Sequence, residues 1–314
     1  MYSIMSATFK STLEAKLREK GLSESSIKLY LRNLEKLNDD KPLANLNFLK
    51  KKKEIMEKLE SKKPNTKRNY IISIVSVLQT DPSMKKTYDQ YFADMKDINK
   101  VLKEAESKNE KSETQKNNWI DWKDVLEVYE KYKSEVKKIS SLKNINQQQY
   151  NILLAYLILS LYVLFPARRN ADYQNMFIIK NMKVPDDDKN YADLTNKKFY
   201  FRKYKTAKTE GEQEFDIPAD LADVIELFLK HYPNLNKKTK KICVPLLVNY
   251  DGQRLDKINS ITLLLNKIFK KKISSSMLRH IYTSYKFGDK LKEQKEVAKQ
   301  MGHSTEMNND YVKV

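Results

Sequence analysis

The sequence predicts a mainly α-helical protein with a small antiparallel β-sheet, an α+β fold, and three observations lead to this prediction. Apolar residues recur at helical spacing along most of the chain. Extended-type segments are confined to one region, near residues 197–217. The 314 residues include only 5 Gly and 8 Pro, as expected of a folded, helix-rich chain. This length accommodates two domains, each with its own core.

The first domain, residues 1–108, is predicted to be helical throughout. Leu13 and Leu17 lie on a first helix, and Ser23 is a helix-start signal for a second one, which ends near Leu37. Further helices are expected over about 48–59, after Pro64, and over about 84–105. No strand is predicted in this domain.

Residues 109–118 are predicted to be a linker, because the stretch from Glu104 to Asn118 mixes both charges and has no large apolar residue. The second domain, residues 119–314, begins at Trp119. Its apolar run 152–165 is 14 residues long, which suits a buried helix better than a membrane span.

The predicted sheet lies in the second domain. Residues 197–204 and 214–217 form a hairpin whose tip carries Lys205 and Lys208, and residues 176–182 are a candidate third strand. Four helices are expected to follow, over 218–232, 260–269, 274–287 and 290–300. Gly302 ends the last of them and leaves His303 just beyond the helix.

The formal net charge of +19 favours a polyanionic partner, and nucleic acid is the usual one. The alternative is a surface that is lysine-rich through compositional bias, since most of the 60 basic residues are Lys. On the nucleic-acid interpretation, phosphate contacts are expected from clustered basic residues. These are Lys50, Lys51, Lys52, Lys53, Lys67, Arg68, Lys237, Lys238, Lys240, Lys241, Lys270, Lys271 and Lys272.

Several classes of site are not expected. A single cysteine excludes an internal disulfide framework and a cysteine-based zinc site. The sequence has no Gly-rich phosphate loop and no paired-histidine metal motif, so neither a cofactor nor a metal is expected. The start of the chain does not resemble a signal peptide. We therefore expect a soluble protein of the cytoplasm or of a host nucleus, without a membrane partner.

Two groups of scarce residues are candidates for chemistry. Arg168 and Arg169 directly follow the buried helix, and Arg is preferred where a planar fork must hold a phosphate. Near the end of the chain, Arg279, His303 and Tyr311 could grip a phosphate, donate a hydrogen bond to it and attack it.

In this order, the motifs resemble those of the tyrosine recombinase, or phage integrase, family, which includes enzymes of viruses and mobile elements. Leu278–His280, Met301–Ser304 and the near-terminal Tyr311 look like the second half of the family signature, and Arg168–Asp172 looks like its first arginine motif. The lysine-bearing hairpin and the helical first domain are similar to their family counterparts. The resemblance covers nearly the whole chain.

The resemblance implies a role for each matching residue. Asp172 would be the acidic residue that buttresses the site, since it lies three positions after Arg169, and Arg168 is the alternative first arginine. Lys205 is the alternative to Lys208 as the hairpin lysine. The implied catalytic set is Arg169, Lys208, Arg279, His303 and Tyr311.

This sequence departs from the family pattern at two points. Ser276 occupies the position of the usual first histidine, and a hydroxyl can donate to a phosphate oxygen but is a poorer proton carrier than imidazole. The spacing from His303 to Tyr311 is one residue shorter than is usual in the family.

The implied activity is site-specific recombination or integration of double-stranded DNA through a 3′-phosphotyrosyl intermediate, without metal or ATP. The alternatives are a type IB topoisomerase and a non-catalytic DNA-binding relative. The implied assembly is a homotetramer on DNA and a monomer in free solution. Because few residues follow Tyr311, we expect this side chain to be loosely anchored or turned away from Arg169 and Arg279 when no DNA is bound.

Overall fold

Helices make up most of the chain in the computed structural model, which describes residues 2–236, 238–305, 307 and 311. The chain divides into two units, Met1–Glu110 and Lys111–Val314. The prediction of a mainly α-helical protein with a small sheet is confirmed. Along the described residues, no helix is sufficiently long and apolar to cross a membrane.

The first unit is helical, with 3₁₀ turns at Asn47–Lys50 and Pro82–Met84. Its α-helices are α1 (Tyr2–Glu19), α2 (Glu24–Leu37), α3 (Lys52–Glu60), α4 (Pro64–Leu78) and α5 (Lys85–Ser107). The Ser23 hydroxyl accepts a hydrogen bond from the Ser26 amide and so caps α2. Fully buried Leu34 and Ile74 belong to its core, and the buried amide of Asn33 donates to the Ser73 hydroxyl at 3.0 Å.

The second unit contains eight helices and five strands among its described residues. The helices are α6 (Glu113–Asn118), α7 (Trp122–Ile139), α8 (Gln147–Val163), α9 (Asn170–Gln174), α10 (Ala207–Glu210), α11 (Ala219–Lys230), α12 (Ser260–Phe269) and α13 (Ser275–Gln300). The strands are β1 (Met176–Lys180), β2 (Asn190–Asp193), β3 (Lys198–Phe201), β4 (Gln213–Asp216) and β5 (Ile242–Pro245).

Helix α8 is the centre of this unit. It is apolar on all sides, which is typical of a helix surrounded by other elements, and α7, α11 and α12 pack against it. Asn146 and Gln149 form a capping box at its start. Its last turns bury Tyr162, and the chain then leaves the core toward the two adjacent arginines.

The five-stranded sheet has the order β4-β3-β2-β1-β5. The prediction of an antiparallel sheet is wrong for one pair, because β1 and β2 run parallel and the sheet is therefore mixed. Loop 181–189 carries the chain back before β2 begins, so that both strands run in the same direction. The remaining neighbours, including the predicted β3–β4 hairpin, are antiparallel.

Two segments differ from the predicted helix boundaries. The predicted linker contains α6, whose start is capped by Ser112 and whose Asn118 accepts a hydrogen bond from the Lys272 amide at 3.1 Å. The predicted break between 287 and 290 is absent, since α13 runs without interruption through Gly288. One interior glycine costs a helix only about 1 kcal/mol relative to Ala, and the residues around it are good helix formers.

Candidate active site

The first arginine motif lies at the start of α9. The Nε atom of Arg168 donates to Asp172 Oδ2 at 3.0 Å, and its Nη1 atom donates to Gln213 Oε1 at 3.1 Å. The guanidinium lies 3.7 Å from the centre of the Phe201 ring. The Arg168 side chain is 15% exposed and is therefore bound within the unit rather than presented to a ligand.

Arg169 is placed differently from its neighbour. Its backbone carbonyl accepts a hydrogen bond from the Asp172 amide at 3.0 Å at the start of α9. Its guanidinium makes no hydrogen bond or ion pair with any described residue, and acts on Asp172 through its charge. Of the two arginines, Arg169 is thus the one whose donors are available to a phosphate.

Asp172 is buried, and its carboxyl group pairs with Arg168 at 3.0 Å and is influenced by the charge of Arg169. Burial raises its pKa, and the charges of Arg168 and Arg169 oppose that shift. Its Oδ1 atom is buried without a hydrogen-bond partner among the described residues. The neighbouring cations therefore favour the ionised form of Asp172 against the effect of burial.

Tyr162 connects α9 with the start of α13. Its hydroxyl donates to Asn170 Oδ1 at 2.9 Å. Burial raises the pKa of Tyr162, while a hydrogen bond with Ser275 and the charge of Arg279 oppose the shift. Arg279 lies on the start of α13, which Ser274 caps and the buried Leu278 anchors, and its charge acts on Tyr162.

Ser276 lies exposed on the first turn of α13. It precedes Arg279 by three residues, so that the two side chains are neighbours on the helix surface. The hydroxyl can therefore reach a ligand that Arg279 binds.

Residues 202–212, between β3 and β4, form the lysine loop, which carries Lys205 in a turn and Lys208 on α10. The Tyr204 hydroxyl donates to the Gly211 carbonyl at 2.6 Å and closes the loop. Gly211 has a φ of 70°, a conformation that favours glycine. The ring of Tyr204 lies 5.2 Å from the Arg168 guanidinium, which places the loop beside the first arginine motif.

His303 and Tyr311 form a separate pair at the other end of α13. The helix ends with Gly302 at a φ of 75°, and the His303 amide donates to the Ala298 carbonyl at 3.1 Å. The two rings are 5.4 Å apart, and Tyr311 is 64% exposed. The Nδ1 atom of His303 lies 3.2 Å from the Ser304 carbonyl, and its Nε2 atom has no hydrogen-bond partner among the described residues.

The continuous helix separates this pair from the arginines. Arg279 and Gln300 both lie on α13, and at a rise of about 1.5 Å per residue they are about 32 Å apart along its axis. The structure thus places Arg169, Asp172 and the lysine loop in one region, and Tyr162 connects that region with the start of α13, which carries Arg279. It does not bring His303 and Tyr311 to them.

The predicted DNA-contacting residues fall into two classes. Some have partners inside their own unit. Lys52 pairs with Asp94, Lys51 pairs with Glu54, and Arg68 donates to Asn99. The Lys271 ammonium donates to the Trp119 carbonyl, and the Lys272 backbone amide donates to the Asn118 side chain. Exposed positions without an ion pair to a described residue are Lys50, Lys53, Lys238, Lys240, Lys241 and Lys270, while Lys67 is half-buried. Lys237 lies outside the described residues.

Two connecting residues were not predicted from the sequence. Tyr162 was recognised as part of a buried helix, and nothing in its spacing indicated a bond to Asn170. Asn190 is fully buried and donates to the Asp172 and Lys203 carbonyls at 2.8 and 2.9 Å. A polar residue at the start of a strand indicates such a buried connection only when the strand has been identified, and β2 was not predicted.

No family model, curated protein or solved structure matches this chain. Among the described residues, no group of three or more His, Cys, Asp or Glu side chains could hold a metal ion.

Proposed function

We propose that the protein is a site-specific DNA recombinase or integrase that cleaves and rejoins DNA through a 3′-phosphotyrosyl intermediate. The observation that carries the proposal is that Tyr162 links two segments distant in sequence: its hydroxyl bonds Asn170, which follows Arg169, and the charge of Arg279 acts on it, while the lysine loop lies beside Arg168. Two guanidinium groups that reach the same ligand would suit a phosphodiester, because each can donate in parallel to its non-bridging oxygens.

Each residue then has a defined chemical role. The Tyr311 hydroxyl releases its proton to solvent as its oxygen attacks phosphorus, a Tyr–O–P bond forms, and the bond from phosphorus to the 5′-oxygen breaks. Arg169 and Arg279 offset the charge that develops on the phosphate, and His303 adds a hydrogen bond. Lys208, or Lys205 in its place, gives a proton to the leaving 5′-oxygen. A 5′-hydroxyl of a second strand reverses the step.

The direct test uses nicked duplexes of randomised sequence, from which DNA that stays attached to the protein in denaturant is recovered and sequenced. We expect an adduct through a 3′-phosphate, with a free 5′-hydroxyl on the partner fragment. Adducts through a 5′-phosphate, or none from an exhaustive library, would overturn the proposal. Relaxation of supercoiled plasmid by one bound subunit would favour the type IB topoisomerase.

Tyr311 must approach the arginines for this chemistry, and we infer that α13 bends at Gly288. Leu278 and Ile281 are buried on one face of its first half. From Phe287 onward, Phe287, Leu291 and Met301, which directly follows the helix, are exposed and lie on a face about 150° away. A straight helix cannot pack both faces against the same surface, and Gly288 lies where the two patterns meet.

Gly288→Ala is expected to lower the rate of adduct formation about fivefold. Alanine favours a straight helix by about 1 kcal/mol relative to glycine, and this lowers the population of the bent form about fivefold. The added Cβ meets no atom within 4 Å, so the substitution causes no clash. Pre-steady-state cleavage rates measure the effect, with Ser284→Ala, in the first half of α13, as the matched control. An unchanged or faster rate for Gly288→Ala contradicts the bend.

Nonspecific binding to duplex DNA is expected to weaken steeply with salt, by a log–log slope of about −0.9 per phosphate neutralised. Lys53→Ala should make the slope shallower by about one unit, since Lys53 is exposed and has no ion pair to a described residue. Lys52→Ala is the matched control, because its ammonium pairs with Asp94 at 2.9 Å. Fluorescence anisotropy at several salt concentrations measures both slopes. A wild-type DNA affinity that does not change with salt would mean that the positive charge reflects compositional bias toward lysine rather than DNA binding.

A further inference from the structure

We propose that Arg168 is a positioning residue that holds the lysine loop against the phosphate site. The inference rests on the proposed function and extends it, since it assigns a role to an arginine that is too enclosed to hold a phosphate itself. In this role Arg168 sets the place from which Lys208 or Lys205 delivers its proton.

The contacts of Arg168 reach both sides of the loop. Its Nη1 atom bonds Gln213, the first residue of β4, which follows the loop. Its guanidinium covers the ring of Phe201, the last residue of β3, which precedes the loop, and lies 5.2 Å from the Tyr204 ring within it. Its Nε atom bonds Asp172 on α9. One side chain therefore joins the loop at its start and end to the helix that follows Arg169.

Asn190 supplies a second connection, at the start of the loop. Its side chain donates to the carbonyls of Asp172 and Lys203, and its Oδ1 atom accepts from the amides of Arg202 and Lys203 at 2.9 and 2.7 Å. All four bonds of a buried amide are thus used between α9 and the loop. The end of the loop has no comparable bond from Asn190. Besides the Tyr204–Gly211 bond and the β3–β4 pairing, it is held by Arg168 and by the Arg202–Glu212 ion pair.

Removal of Arg168 alone would leave Asp172 as a buried carboxylate with one cation fewer, and that variant could fail to fold. The test therefore uses both Arg168→Met and the double variant Arg168→Met/Asp172→Asn, in which the orphan charge is removed as well. Met keeps an extended, unbranched side chain over Phe201 but has no N–H donors. Arg254→Met is the matched control, because Arg254 likewise combines a hydrogen bond, to the Gln174 backbone carbonyl, with a position over an aromatic ring, that of Phe177.

The first measurement needs no DNA. Backbone amides 207, 209, 210 and 211 are hydrogen-bonded within the loop, and their hydrogen exchange reports how firmly the loop is held. We expect exchange about tenfold faster in the double variant, with α8 amides unchanged and with no change in the loop of Arg254→Met. Loop exchange equal to the wild type would overturn the positioning role.

The second measurement compares ordinary DNA with a 5′-phosphorothiolate substrate, whose sulfur leaving group needs no proton. Loss of a positioned general acid slows a reaction by about 100-fold or more, so we expect that loss for Arg168→Met on ordinary DNA. We expect most of it to be restored on the phosphorothiolate, as for Lys208→Ala or Lys205→Ala. Arg169→Met should be slow on both substrates.

An equal defect of Arg168→Met on both substrates would overturn the inference while leaving the recombinase proposal intact. Absence of any adduct with the wild-type protein would overturn the recombinase proposal, and the role of Arg168 in proton delivery would fall with it. The exchange measurement would then still show whether Arg168 holds the loop, so that the two failures are distinguishable.

Discussion

Tyr311→Phe is expected to abolish covalent attachment to DNA while changing DNA affinity by less than about twofold. The substitution removes the phenolic oxygen, which is the proposed nucleophile, and leaves the ring and the basic surface in place. Denaturing gels measure the adduct, and anisotropy measures binding by the same preparation. Tyr285→Phe is the matched control, since Tyr285 is likewise exposed and lies on α13. An adduct formed by the Tyr311 variant would mean that another residue is the nucleophile.

Arg169→Ala and Arg279→Ala are each expected to slow adduct formation by about 10²–10³-fold, the usual cost of losing one donor that stabilises a charged transition state. The folded structure should persist, because neither guanidinium makes a hydrogen bond with a described residue. Single-turnover cleavage under saturating protein measures the rates. A loss of less than about tenfold for either variant would remove that arginine from the site.

Mixing two inactive variants tests how Tyr311 reaches the arginines. If α13 bends within one chain, a mixture of Tyr311→Phe and Arg169→Ala stays inactive, since each chain lacks one necessary part. Recovery of adduct in the mixture would show that the tyrosine comes from a neighbouring copy, and the bend at Gly288 would then be wrong.

The helices were largely predictable because their signals are local. Ser23 marks the start of α2, and Pro64 begins α4, each within one turn of the predicted position. The strands β2 and β5 were missed because each has four residues and lacks a clear alternation of apolar and polar side chains. The parallel pairing of β1 with β2 depends on partners that no local pattern specifies.

The site was predictable to the extent that its residues are chemically unusual. Two adjacent arginines after a buried helix stand out in a chain whose basic residues are mostly lysine. The sequence does not show that Arg168 is enclosed while Arg169 is available to a ligand. That difference arises because Asp172, Phe201 and Gln213 contact Arg168 in the folded structure. The predicted break in α13 includes Gly288, and the flanking helix formers outweigh one glycine.

On the proposed function, the straight form of α13 has a consequence for the safety of the host genome. A protein with this charge spends most of its time sliding over DNA of irrelevant sequence. A preassembled site would nick that DNA at random. With Tyr311 beyond the far end of α13, which lies about 32 Å from Arg279 along the helix axis, such encounters are harmless. Cleavage is confined to sequences whose binding energy is large enough to bend α13, so that selectivity is exercised before the chemistry begins.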